Sequence, residues 1–218
     1  MNTFIINEIS SYSVVVPAIT GLILCTRIQA EHYPFLFCLL AGVVNELYSE
    51  VLSHSGTNMN YNTNLYVLLE GCLLLWQFQR WQLFRRWEKG FAILLGSIVL
   101  AWALDWLYVG TLGRIFSYYR IYYSFIIVLV AITCLNRLLL SAHDRLLENP
   151  VFLLCIAFIL YFMMKILVEA FWVYGLNNTA AFRKKVYVIH DLINIFTNIV
   201  FAYALVWMRK KQPYSLRF

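Results

Sequence analysis

One pattern constrains this chain before any other: long apolar stretches, each about the length of a membrane crossing, separated by short polar or charged breaks. A helix needs about 20 mostly apolar residues to cross the hydrocarbon core, and in lipid its backbone groups have to be satisfied within the helix. The pattern predicts spans near 9–27, 33–53, 63–82, 91–111, 117–138, 150–174 and 184–208. The expected fold is therefore all-α, a seven-helix membrane bundle forming a single domain over 1–218. Of the 218 residues 62% are hydrophobic and 13% charged, against about 25% charged and 45–50% apolar in an average soluble domain. No stretch is left over for a soluble domain.

Lys and Arg in the breaks give an orientation. Arg27, Arg80, Arg85, Arg86, Lys89, Arg137, Arg145, Arg209, Lys210, Lys211 and Arg217 fall at one membrane face, and Arg114, Arg120, Arg183, Lys184 and Lys185 at the other. The richer face is expected to be cytoplasmic, which puts the N-terminus outside and the C-terminus inside a multi-pass protein of the cell membrane. No Lys or Arg precedes the first span, so a cleaved signal peptide is not expected. The net charge of +6 is explained by this basic flank facing anionic headgroups and calls for no nucleic-acid partner. Trp76, Trp81, Trp87 and Trp207 are expected at the inner interface, and Trp106 and Trp172 toward the outer one. Cys25, Cys38, Cys72, Cys134 and Cys155 all lie inside spans without CxxC spacing and read as small packing residues.

Two segments resemble each other. Leu65-Tyr66-Val67-Leu68-Leu69-Glu70 in the third span and Val186-Tyr187-Val188-Ile189-His190-Asp191 in the seventh both place a carboxylate four residues after a tyrosine. The preceding spans carry Glu46 and Glu50, and Lys165 and Glu169, at matching places. Spans 1–3 and 5–7 can therefore be parallel repeats joined by the fourth, a 3+1+3 arrangement known among transporters.

Ionisable residues within a bilayer are costly and are functional candidates by default. At 1.5 Å per residue, Glu46, Glu50, Glu70, Asp105, Lys165, Glu169, His190 and Asp191 all fall in the outer half. The inner halves of the same spans are nearly pure Leu, Ile, Val and Phe. Spacing at i, i+4 gathers the polar residues into one stripe per helix: Tyr66 with Glu70, Tyr161 with Lys165 and Glu169, Tyr187 with Asp191 and Asn194, and Arg120 at the start of span 5. The stripes imply a shared cavity open to the outside. The plainer account is structural: Lys165 can pair with Glu169 on one helix, Arg120 can neutralise Asp105 or Glu70, and Asn194 and Asn198 can bond between helices. Six carboxylates against few buried cations point instead to a bound cation, raised pKa values or a hydrated vestibule.

Several functional classes are excluded by what the spans lack. The last span has no Lys between Lys185 and Lys210 to carry a retinal Schiff base, so no retinal is expected. Gln79-Arg80-Trp81 and Asn198-Ile199-Val200-Phe201-Ala202-Tyr203 stand where a G-protein-coupled receptor would show its Asp/Glu-Arg-Tyr and Asn-Pro-x-x-Tyr motifs. A metal-dependent hydrolase would draw its ligands from Glu46, Glu70, His190 and Asp191, but no HExxH is present. The leading expectation is a protein that binds a polar or cationic small solute in an outward pocket, as transporter or receptor, and the membrane-embedded metal-dependent hydrolase stays as the alternative. A separate cytoplasmic partner could dock on the basic, Trp-rich third connection. The orientation has a direct check. With single cysteines in a cysteine-free background, positions 58 and 178 should react with an impermeant reagent added outside, and position 89 only from inside. The reverse pattern would place the pocket on the cytoplasmic face.

Overall fold

The computed structural model describes residues 3–109, 111–141, 146–175 and 179–208, which leaves His143, Arg145, Asn178 and the basic tail from Arg209 to Arg217 outside the described residues. The described residues are helical, with no strand: α1 (Thr3–Tyr12), α2 (Val15–Leu24), α3 (Tyr33–His54), α4 (Asn60–Arg80), α5 (Glu88–Val109), α6 (Ser117–Ser141), α7 (Pro150–Val173) and α8 (Ala180–Trp207). Six segments are long and apolar enough to cross a membrane: 5–24, 30–54, 89–109, 117–140, 150–173 and 182–207. The chain is a multi-pass helical membrane protein. The remaining predicted span forms α4, which is long enough at 21 residues. Its Asn60, Asn62, Asn64, Glu70, Gln77 and Gln79 make it too polar for that set.

Local chemistry explains where the helices start and break. Asn149 caps α7 by accepting from the Val151 and Phe152 amides at 2.9 and 3.4 Å, with Pro150 in the first turn, where a missing N–H costs nothing. Thr179 caps α8 through the Phe182 amide. The expected first span is two helices rather than one continuous helix, and Pro17 is the reason. Proline has no N–H to give the Ser13 carbonyl four residues back, and its ring crowds that carbonyl. The Ser13 carbonyl is taken by the Val16 amide at 3.2 Å instead, while the Ser13 hydroxyl turns onto the Ser10 carbonyl at 2.6 Å.

The helices form a ring. α1 and α2 pack on α8, α8 on α7, α7 on α6, α6 on α4, α4 on α3, and α3 closes the circle against α1 and α2. α5 stands outside it, touching α4 and α6, with only 11% of its apolar window buried. This position accounts for the contrast between α4 and α5. A peripheral helix has to be apolar nearly all round, whereas a helix in the ring can give its polar side chains protein partners. Asn64 is fully buried, donates to the Leu112 and Arg114 carbonyls at 2.9 and 2.6 Å, and fastens the 111–116 connection to α4. Gln77 accepts from the Phe35 amide at 2.8 Å, satisfying one of the orphan donors of the first turn of α3. Trp81 is buried and donates to His32 at 3.2 Å, so it packs within the protein instead of facing the interface as expected.

Close approach of α4 and α6 depends on Gly71. A Cβ there would lie 3.3 Å from a Tyr123 ring carbon and 3.4 Å from the Tyr119 hydroxyl, whereas one at Gly96 on α5 would meet nothing within 4 Å. Gly71→Val should therefore destabilise the detergent-solubilised protein by about 1–3 kcal/mol through overpacking. Gly96→Val should stay within about 0.5 kcal/mol of wild type. Equal melting of the two variants would mean that α4 and α6 do not approach as described.

Candidate functional site

The connections at 55–59 and 111–116, the end of α7 at 174–175 and the start of α8 share one end of the bundle, here called the upper end. A cavity of about 910 Å³ opens there, between α3, α4, α6, α7 and α8. Glu46, Tyr66, Arg120, Tyr161, Lys165, Glu169, Tyr187 and His190 line it, together with Arg114, Trp172 and Thr63. A second cavity of about 110 Å³ lies deeper, lined by Glu46, Tyr66, Glu70, Tyr161 and Asn194 of the expected set and by Ser11, Cys38 and Asn198. Its remaining walls are mainly Phe35, Leu39, Leu74, Phe158, Phe162 and Phe201.

The charges meet across helices, not along them. Lys165 Nζ lies 3.0 Å from Glu70 Oε2, and both residues are buried. Tyr123 donates to the same carboxylate oxygen at 2.5 Å and Tyr66 to the other at 3.2 Å, while Lys165 also donates to the Tyr123 hydroxyl. The ammonium sits over the rings of Tyr123, Tyr161 and Phe162 at 5.1, 5.4 and 5.5 Å from their centroids. Its charge is thus balanced by a carboxylate and by three aromatic faces. Arg120 Nη1 takes Glu169 Oε1 at 3.0 Å, a second pair joining α6 to α7. The i, i+4 pairing of Lys165 with Glu169 and the pairing of Arg120 with Asp105 or Glu70 both give way to these crossed pairs. The ring brings α4 and α6 against the face of α7 that carries both charges.

Other expected site residues serve the framework. Asp105 accepts from the Tyr119 amide in the first turn of α6 at 2.8 Å, where the helix leaves donors free. Glu50 accepts from the Tyr12 hydroxyl at 2.5 Å and lies 3.9 Å from His54, with its side chain half exposed. Asp191 is buried with His190 Nδ1 at 3.7 Å from Oδ1. Asn194 donates to the Ser10 carbonyl and hydroxyl at 3.1 and 3.0 Å, and Asn198 to the Ser13 hydroxyl at 2.7 Å, so α8 clamps the break between α1 and α2. Asn194 also lines the lower cavity, so the clamp and the cavity wall are the same residues.

The structure adds residues that the sequence reading left out. Tyr123 is one of four tyrosines in the first two turns of α6 and no spacing singles it out, yet it is fully buried and holds the Glu70–Lys165 pair from the α6 side. Arg114 belongs to the wall of the upper cavity. Among the described residues no three His, Cys, Asp or Glu side chains converge as a metal ion would require. His190 and Asp191 are neighbours, but Glu70 is taken up by Lys165. No protein-family model, curated protein or solved structure matches this chain.

A double-mutant cycle tests whether Glu70 and Lys165 act as a buried pair. Lys165→Met alone strands a carboxylate and should cost about 3–5 kcal/mol, whereas Glu70→Gln with Lys165→Met should recover most of that loss. Melting of the four proteins in detergent reads the coupling. Strictly additive losses would show that the two charges do not depend on each other.

Proposed function

We propose that this protein binds a small, polar, amine-bearing solute in the upper cavity, with that end of the bundle facing outside, and moves the solute across the membrane or reports its presence. The observation that carries this reading is the state of the charges around a cavity of about 910 Å³. Glu70 and Glu169 are neutralised by Lys165 and Arg120. Glu46 has no hydrogen-bond or ion-pair partner among the described residues, and it lines both cavities. It is the carboxylate available to a ligand. Tyr66, Tyr161, Trp172 and Tyr187 supply π faces on the same walls, which suits an ammonium group. Arg114, near the mouth and equally without a side-chain partner among the described residues, would take an acid group if the solute is a zwitterion.

The ring order supports both the seventh crossing and the 3+1+3 repeat. α4 runs between two apolar crossings and spans 21 residues, about 31 Å at 1.5 Å each. The triplets α1/α2–α3–α4 and α6–α7–α8 follow one another around the ring, with α5 outside as the link. A half-turn about the bundle axis would exchange α4 with α8, and so Glu70 with Asp191.

A thermal-shift panel of amines, amino acids and carboxylates tests the binding reading, since a ligand that binds only the folded state raises its melting temperature. Amine-bearing compounds should stabilise the wild type. Glu46→Gln should weaken that binding at least about tenfold, equivalent to about 1.4 kcal/mol. Glu50→Gln, outside both cavities, should leave it unchanged. A response confined to carboxylates, or loss of binding in both variants alike, would remove Glu46 as the ligand's counter-charge.

A further inference from the structure

The two cavities share Glu46, Tyr66 and Tyr161, while Lys165 lines only the upper one and Glu70 only the lower. The 3.0 Å ion pair between Lys165 and Glu70 therefore lies in the partition, flanked by the two tyrosines that face both sides. Beneath it, the wall of the lower cavity is polar above and aromatic below. Glu46, Glu70, Tyr66 and Asn194 provide the polar part. Phe35, Phe158 and Phe201 provide the floor, packed on one another with centroids 5.0 to 5.9 Å apart. One side of this chamber is the break between α1 and α2, through Ser11 and Val14. Discontinuous helices beside a mid-bundle polar site are a recurring feature of carriers, because a broken helix lets part of the wall move.

We propose that the lower cavity is a second, deeper and narrower position for the solute, and that the Glu70–Lys165 pair with Tyr66 and Tyr161 is the gate above it. This rests on the reading of the upper cavity as the entry site, and it makes the protein a carrier. The chamber's size limits its occupant. About 110 Å³ accommodates a few waters, at ~30 Å³ each, or a compact solute of a few heavy atoms. Its chemistry favours a small ammonium ion. Glu70 is neutralised by Lys165, leaving Glu46 as the uncompensated charge, and Phe35, Tyr66, Phe158, Tyr161, Phe162 and Phe201 add aromatic faces. Entry requires Lys165 to leave Glu70, and an arriving ammonium can take the place of the departing one beside that carboxylate. Charge in the chamber is then conserved as the gate opens, so the opening does not strand Glu70.

Cys38 provides a native reporter, because it lines the lower cavity and not the upper. The test uses the full chain in detergent with Cys25, Cys72, Cys134 and Cys155 replaced by Ala. The probe is the compact cationic thiol reagent 2-aminoethyl methanethiosulfonate, which carries a primary ammonium group. A Thr63→Cys, Cys38→Ala protein reports on the upper cavity. Position 63 should label rapidly and Cys38 slowly. Opening the partition with Glu70→Gln plus Lys165→Met, or separately with Tyr161→Ala, should raise the Cys38 rate at least about tenfold, in proportion to the open population. The position-63 rate should be unchanged. If position 63 does not label, the upper cavity is not an entry site and both readings fall. If position 63 labels but Cys38 is no faster in either gate variant, the entry site stands and the gate is overturned. Cys38 labelling as fast as position 63 in the unaltered gate would overturn it equally.

Discussion

Glu70 and Lys165 come from helices 95 positions apart in sequence, and neither charge could be kept in a bilayer without the other. An unpaired carboxylate or ammonium taken out of water carries a penalty of several kcal/mol, which the partner's charge and further hydrogen bonds have to offset. The pair thus sets the rotation of α4 against α7, and Tyr123, donating from α6 to the same carboxylate oxygen, draws in the third helix. Gly71, one residue beyond Glu70, permits the approach that this hydrogen bond requires. Arg120 with Glu169 repeats the crossing between α6 and α7. With these three helices fixed, the division into two cavities follows, because the residues that hold the helices together also form the partition.

The depth of the site could be read from the chain, but its pairing could not. Counting 1.5 Å per residue along each apolar stretch places Glu46, Lys165, Glu169 and His190 in one half of the bilayer, and the upper cavity lies where those residues converge. Spacing within a helix speaks only for neighbours on that helix. It therefore favours Lys165 with Glu169, and the exchange of partners to Glu70 and Arg120 depends on the order of helices around the ring. The same limit explains Asp105 and Glu50. Glu50 shares a stripe with Glu46, and Asp105 shares the depth of the cavity residues, yet Asp105 faces the start of α6 and Glu50 the Tyr12 hydroxyl. Pro17 signalled the break between α1 and α2, but membrane helices often tolerate proline when neighbours satisfy the freed groups. Here the break is held by Asn194 and Asn198, some 180 residues away, beyond the reach of any local rule.

The modest hydropathy of α4 has a related cause. A scale of transfer to lipid assigns a fixed cost to each Asn and Gln, as if its amide faced hydrocarbon. Asn62 donates to Asn45 Oδ1 at 2.9 Å, Asn64 fastens the 111–116 connection, and Gln77 bridges the Glu31 carbonyl and the Phe35 amide. Those amides pay no transfer cost, since protein replaces the water they lose. They also account for how a helix with modest hydropathy can occupy the ring while α5, far more apolar, remains outside it.

The polarity gradient along the bundle carries a mechanical consequence. In the upper cavity, water can solvate Arg114, His190 and Glu46, so charge there is cheap and the walls can be polar. Below the ion pair the chamber narrows to about 110 Å³ over an aromatic floor, and a charged solute entering it has to exchange its hydration for protein groups. The groups available for that exchange are the Glu46 and Glu70 carboxylates, the Tyr66 hydroxyl and the aromatic faces. A neutral apolar solute would find nothing to offset the lost contacts of these polar groups, and an anion would meet carboxylates. An ammonium meets complementary charge and π faces at each step. The same residues that make the bundle stable when closed on Lys165 are therefore those that can stabilise a small cation in its place.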